Sequence, residues 1–368
     1  MIVLHLISGR GPTGPAAAAI SDVKALHAAG HKAYVCARDT YGITDACTAD
    51  SIPFVGGFKL GRGAMRILHL PHDRRRLRAV IRELAADVIH VHRGDDQLLA
   101  AASLGKALST TLIRTWHRNP DTLPRLILRR LAAQVDGCVC VSRQHAAVLN
   151  QSGAKKCEFI PVGVDTDVFR PSLGEETTPE FGAEIRIGQV GRWKRSPDGQ
   201  DRGQLAALDI FALLKPISGW KGLLIGRGEM AESLRQSAAE RRLSAQQVEI
   251  ADFPKQTAAG FAKLLATLNV GLVFTPGSDG TSRAAAEMLA CGVPLIAADL
   301  PGLREFAEDA ASAQRQLPND PNGWAAAIRK LLADPAVLRE MSRAARHRAE
   351  SVHSLAARGQ ALAEFYKR

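Results

Sequence analysis

Short apolar runs that alternate with helical patterns limit this chain more than any other feature. The clearest unit lies between Asn269 and Phe306. An apolar run from Asn269 to Phe274 leads into Pro-Gly-Ser-Asp-Gly, and a helical stretch opening near Thr281 carries Glu287 about two turns beyond Asp279. A second apolar run, Val293 to Ala297, then reaches Asp299 and a Pro-Gly turn. The same alternation starts at Ile2 to Ile7 and resumes at EIRIGQV, KGLLIG and QQVEIADF, which predicts parallel sheets covered by helices. A chain of 368 residues is long enough for two such domains. Each helix that follows a glycine-bearing loop offers free backbone N–H groups and a positive dipole end. Such an end suits a phosphate or a polyhydroxylated ligand held near one.

Charge narrows the partners. Residues 1–170 hold 23 Lys and Arg against 14 Asp and Glu, so +9 of the net +11 sits in the first half. A one-sided basic surface attracts nucleic acid, anionic lipid headgroups or a phosphorylated glycan. No helix-turn-helix, zinc-finger or RNA-recognition signature accompanies it, which puts nucleic acid last and gives an expectation of none. Arginines crowd the stretch from Leu60 to Leu84, where Leu77, Val80, Ile81 and Leu84 recur at helical spacing. In LPRLILRRLAAQ the same reading puts Ile127, Leu128 and Leu131 inside and Arg125, Arg129 and Arg130 outside. Two basic faces of this kind fit peripheral contact with an anionic membrane. Cys36, Cys47, Cys138, Cys140, Cys157 and Cys291 show no paired metal spacing and read as reduced core residues. The opening MIVLHLI reads as a strand and no run is long enough to span a membrane, so a cytoplasmic location is expected, with the inner membrane face as the place of any peripheral contact.

Three stretches carry a resemblance. Asp279-x7-Glu287 followed by MLACGVPLIAAD, the run VDGCVCVSRQHAAVLNQSGAKKCEFIPVGVDTDVFRP, and EIRIGQVGRWKR together resemble retaining GT-B glycosyltransferases of family 4. The resemblance covers nearly the whole chain. It implies an α/β fold of two Rossmann-like domains facing a cleft, with an acceptor-binding domain at 1–170 and a linker at 171–183. A nucleotide-sugar-binding domain at 184–350 and a helix at 351–368 crossing back to the first domain complete it. The first acid of the pair, Asp279, would contact donor sugar hydroxyls and Glu287 the ribose diol. Gly280, Thr281 and Ser282 at the helix start, and the Gly226-x-Gly228 turn, would border the donor. Arg192 and Arg202, with Lys194 beside them, would clamp its pyrophosphate. Arg grips phosphate oxygens in bidentate fashion where Lys acts as a point charge. The family needs no metal for catalysis, so neither metal nor cofactor is expected beyond the nucleotide-diphosphate sugar. Val162 stands where the family usually has Asn.

In the first half, Gly9, Gly11 and Gly14 spell G-x-G-x-x-G between a strand and a helix, with Pro15 placed for the first helical turn. With Asp39 after the second strand, this also fits a dinucleotide site and hence an NAD-binding oxidoreductase. The resemblance implies instead a glycine-rich loop bordering donor and acceptor through Gly11 and Gly14. DVIHVHRGDDQ ends a strand, so His92, Arg93, Asp95 and Asp96 are candidates to line an acceptor site, with the two aspartates otherwise a solvated turn. His117, ending the next strand, matches the family's histidine that approaches the donor sugar. The expected function is a retaining, metal-independent transfer of a sugar to a glycan or glycolipid acceptor, of the lipopolysaccharide-core kind. An epimerase or a soluble-acceptor synthase on the same fold is the alternative.

Overall fold

The structure, a computed structural model, describes residues 1–9, 11, 14–60, 64–104, 109–172, 184–195, 201–252, 257–276, 280 and 282–367. The chain forms two compact units. One holds Met1–Gly163, Gly280 and the C-terminal stretch from Leu355; the other holds Val164–Pro276 and Ser282–Ser354.

The first unit is built on a parallel sheet of β1 (Ile2–Ile7), β2 (Lys32–Arg38), β3 (Phe54–Phe58), β4 (Val88–Val91), β5 (Thr111–Trp116), β6 (Gly137–Cys140) and β7 (Cys157–Phe159). Their order across the sheet is β3-β2-β1-β4-β5-β6-β7. The connecting helices are α1 (Pro15–Ala28), α2 (Tyr41–Ala49), α3 (Ala64–Leu84), α4 (Gly94–Ser103), α5 (Arg125–Ala133) and α6 (Arg143–Gln151). Strands such as β4 and β6 are buried on both faces, which is why they read as unbroken apolar runs. Pro15 opens α1 with Gly14 at its N-cap, φ +56°. The Ser142 hydroxyl caps α6 by accepting from His145 N at 3.1 Å, and Gly153 leaves that helix at φ +81°. One sheet face packs on Leu77, Val80 and Leu128; the other packs on α1 through Ile20 and Val23. The six cysteines are free thiols, and Cys138 and Cys140 are buried on β6.

The second unit is a parallel sheet of β8 (Ile185–Val190), β9 (Trp220–Gly226), β10 (Val248–Asp252), β11 (Val270–Val273), β12 (Leu295–Ala298) and β13 (Ala313–Gln316), in the order β10-β9-β8-β11-β12-β13. Its helices are α7 (Gln204–Leu214), α8 (Ala231–Glu240), α9 (Ala258–Leu265), α10 (Arg283–Ala290), α11 (Pro321–Ala333) and α12 (Pro335–Arg348). Val164 N–H donates to the His353 carbonyl at 2.7 Å, and Arg346 donates to the carbonyls of Thr166 and Phe169. These bonds draw residues 164–170 into the second unit. The chain then returns to the first, where α13 (Leu355–Lys367) packs on α1 and adds Leu362, Phe365 and Tyr366 to its core. Among the described residues, no helix is long and apolar enough to cross a membrane.

Two readings of amphipathic faces need correction or support. Leu77, Val80 and Ile81 of α3 are buried, in line with their spacing. Of the three α5 side chains read as inward, Leu128 is buried, Leu131 is half-buried and Ile127 is 50% exposed, while Leu126 is 82% exposed. A nine-residue helix has about two and a half turns, so one buried stripe leaves these two side chains outward beside Arg125, Arg129 and Arg130.

Candidate functional site

In open parallel sheets, ligands bind beyond the carboxyl ends of the strands where the strand order reverses. In the first unit the reversal lies between β1 and β4, and in the second between β8 and β11. Sequence-predicted residues collect at both places.

In the first unit, Gly11 and Gly14 form the turn after β1, Arg93 follows β4 as the N-cap of α4, and His117 follows β5. Among the described residues, a side chain at Gly11 would meet no neighbour within 4 Å. Gly280 lies against the His117 carbonyl and Val141 with φ +77°; both the fit and the left-handed backbone require glycine. Asp39, the proposed ribose partner of a dinucleotide, is engaged elsewhere: its Oδ2 accepts from Gly57 N at 2.9 Å.

His92 corrects an expectation. It is 3% exposed and lies inside the unit. His5 pairs with His90 in the β1–β4 register, and His92 follows two residues later on the same face. His5 Nδ1 and His92 Nε2 are 3.0 Å apart, and His92 Nδ1 and His117 Nε2 are 3.1 Å apart. His90 uses both nitrogens, on the Tyr366 hydroxyl and Thr115 Oγ1, each at 2.7 Å. Beneath the row, Asp22 of α1 pairs with Arg358 of α13, which also donates to the carbonyls of Ile160 and Pro161. Burial pushes the His5 imidazole down to about 4 and holds His90 and His92 well below the usual range, so these rings are neutral. Burial would raise Asp22, but the Arg358 charge and hydrogen bond hold it below the ordinary carboxylate value.

Asp96 is a second correction. It is not in a solvated turn but fully buried in the first turn of α4. Burial pushes its carboxyl up to about 7, with Ser8 and Arg93 offsetting part of the effect. A small pocket of Ser8, Leu60, Leu70, Asp73, Asp95, Asp96 and Leu99 lies there.

In the second unit, Arg192 and Lys194 are exposed just after β8. The buried Trp193 between them anchors the loop: its N–H donates to the Arg227 carbonyl at 2.9 Å and its carbonyl accepts from Met230 N at 3.1 Å. This ties the end of β8 to the Gly226 turn after β9, where glycine is needed because any Cβ would collide with the Gly191 carbonyl and Trp193. Arg202 is drawn to the same edge. Its Nη1 donates to the Pro276 carbonyl beyond β11 at 2.7 Å, while Gln204, at the start of α7, donates to the Arg192 carbonyl at 3.3 Å. The helix expected to open near Thr281 begins at Arg283, capped by Ser282, whose Oγ accepts from Ala285 N at 3.2 Å. Glu287 is half-buried in its second turn. Arg192, Lys194, Arg202, Gly226, Ser282 and Glu287 thus share the carboxyl edge around the β8/β11 reversal. Asp279 and Thr281 lie outside the described residues.

Sequence reasoning missed His5, Asp22, His90, Tyr366 and Arg358, which gather around His92. His-x-His spacing alone signals that His90 and His92 share a face, but Asp22 and Arg358 are 336 residues apart and carry no local signal.

Two parallel α/β units of this topology define a GT-B architecture. Residues 19–168 match Glycosyltransferase Family 4, and residues 184–334 match Glycosyl transferases group 1. The chain therefore carries a glycosyltransferase family 4 domain followed by a group 1 domain. A D-inositol 3-phosphate glycosyltransferase of Segniliparus rotundus is 32% identical over 61% of this chain and 51% of its own length. The chain spans about half the length of the curated relatives it matches. A glycosyltransferase from Rickettsia africae superposes with TM-score 0.80 at 16% identity, over 100% of this chain and 97% of that one. Anabaena HepE in complex with UDP and glucose superposes with TM-score 0.76 at 18% identity, over 100% and 99%.

Proposed function

We propose that this protein is a retaining glycosyltransferase that moves a sugar from a nucleotide diphosphate to a phosphate-bearing or membrane-associated acceptor. The observation that carries the reading is the convergence of Arg192, Lys194 and Arg202 on one sheet edge with the N-terminus of α10. Three cations and a helix N-terminus there suit a leaving diphosphate, whose charge grows as the glycosidic bond to it breaks. Arg192 and Arg202 stabilise that charge, Glu287 takes the ribose diol, and Asp279 and His117 take sugar hydroxyls. The acceptor hydroxyl attacks from the face the diphosphate leaves and gives its proton to a phosphate oxygen, so no side-chain base is required. The HepE structure holds UDP and glucose, which supports a nucleotide-sugar donor.

The acceptor belongs to the first unit. The +9 charge of residues 1–170 favours an anionic one. The name of the Segniliparus relative suggests a phosphorylated polyol, and the exposed Leu126 and Ile127 among arginines suggest a lipid-borne glycan such as a lipopolysaccharide core.

Calorimetry with UDP, GDP and ADP tests the donor site. Charge-assisted hydrogen bonds are worth about 1.5–3 kcal/mol each, so Arg192→Ala with Arg202→Ala should weaken the best-bound nucleotide on the order of 100-fold or more. Unchanged binding in that double variant refutes the assignment. Product analysis with phosphorylated and lipid-linked acceptors separates transfer from epimerisation, which would consume donor without acceptor.

A further inference from the structure

A buried carboxyl with nothing bound to it marks a place that a second group should fill. Asp96 is 0% exposed, and neither of its side-chain oxygens completes a hydrogen bond among the described residues. The Ser8 hydroxyl beside it is 7% exposed and is left in the same state. Polar atoms unpaired at this depth are rare, because each gives up its hydration without replacement.

Position gives the gap a use. Ser8 follows β1 and Asp96 lies in the first turn of α4, after β4, so both stand where the strand order of the first unit reverses. Open parallel sheets bind ligands at such a reversal. The pocket that the two residues line holds about 20 Å3, room for a single water-sized group. Leu60, Leu70 and Leu99 give it apolar walls, which suit a carbon attached to that group.

The chemistry of the lining says what the group must be. Ionised carboxylates only accept hydrogen bonds, and a serine hydroxyl can accept as well. Asp73 is settled, its two oxygens accepting from Lys59 N at 2.7 Å and Leu60 N at 2.9 Å. Asp95 and Asp96 bring two more carboxylates to the same pocket. In a half of the chain with net charge +9, three aspartates around one cavity are a local reversal of sign. Arg93 at the N-cap of α4 and Arg114 of β5 are cations that act against the Asp96 charge, and the lining contains neither. A hydroxyl would serve one acceptor with its single proton. An ammonium brings three N–H donors and the positive charge that a buried carboxylate needs.

We propose that Ser8, Asp95 and Asp96 form a subsite for one primary ammonium group of the acceptor, so that the acceptor is an amino-bearing sugar or polyol. This rests on the reading of the first unit as the acceptor unit and narrows it. Burial pushes the Asp96 carboxyl up to about 7, and an ammonium pairs with its ionised form, so binding expels the proton and strengthens as pH rises toward that value.

Calorimetry on the full chain with D-glucosamine 6-phosphate and D-glucose 6-phosphate, with no donor present, isolates the amino group, since the two share the phosphate and the other hydroxyls. At pH 7 the amine should bind about 10-fold more tightly or better, as charge-assisted hydrogen bonds imply. Asp96→Asn should erase that preference and leave glucose 6-phosphate binding within about twofold, and Ser8→Ala should lower the preference in the same direction. The ratio of the two affinities in the native protein should grow about fivefold from pH 6 to pH 7, following the ionised fraction of a carboxyl that titrates near 7. Equal binding of the two sugars, or none of either at millimolar concentration, overturns the proposal, as does a preference that survives Asp96→Asn. Amine-selective binding by a protein that transfers no sugar would sink the transferase reading and leave the subsite standing. Transfer with no preference for an amine, undisturbed by Asp96→Asn, would do the reverse.

Discussion

Replacing Arg358 by Met removes a cation from the interior and leaves an anion behind. Arg358 and Asp22 are 6% and 1% exposed, and the guanidinium also satisfies the Ile160 and Pro161 carbonyls. Breaking one side of a pair this deep costs about 3–5 kcal/mol, because the remaining charge is uncompensated. The pH dependence carries a sign that can be worked out. In the native protein the Asp22 pKa lies below the ordinary carboxylate value of 3.8. Its contribution is therefore present above about that value and is lost as pH falls through the lowered folded pKa. In Arg358→Met burial becomes the dominant influence, with His92 and His5 offsetting only part of it, so the folded pKa rises above the unfolded one. The penalty is then full above the raised pKa and fades as acid protonates the carboxyl. The stability gap between the two proteins should accordingly narrow on acidification. Urea unfolding, with hydrogen exchange of α1 and α13 peptides to isolate the first unit, measures it. Asp22→Leu with Arg358→Met should recover most of the loss, since a well-packed apolar pair is commonly no worse than a buried ion pair. A single-variant cost below about 1 kcal/mol, or a double variant no better than the single, would refute the reasoning.

Asp96, raised to about 7 by burial, works in the other direction: its penalty grows as pH rises from near 3.8 and is complete above about 7. Asp96→Asn should gain stability over the native protein in alkaline urea titrations and lose that advantage in acid. Ser282→Ala deletes the bond to Ala285 N and should cost about 1 kcal/mol in chemical denaturation, with an unchanged value arguing against the cap. Leu126→Ser with Ile127→Ser should reduce flotation with anionic vesicles at low salt; no flotation of the native protein under those conditions would remove the membrane claim.

Much of the fold is written locally. Apolar runs of four to seven residues followed by glycine turns and capped helices foretell both sheets, because a strand buried on two faces must be continuously apolar. The Gly14–Pro15 start, the Ser142 cap and the Gly153 stop follow from backbone preferences of single residues. Faces were harder. Ile127 and Leu128 are neighbours of similar hydropathy, and only packing on the rest of the unit chose Leu128 for the interior. Asp96 looked solvated because charge normally is, and its burial depends on what covers the start of α4.

The candidate site divides the same way. Sequence alone put Arg192, Lys194 and Arg202 on a loop and His117 at a strand end, because those positions are set by nearby residues. It could not show that Arg202 would reach the Pro276 carbonyl, or that His5, His92 and His117 would form one row. Nor could it show that a pair closed by the last helix would underlie that row. Local pattern fixes which elements form and where each strand ends. The order in which strands lie side by side decides which of those ends meet, and contacts between distant residues arise only from that order.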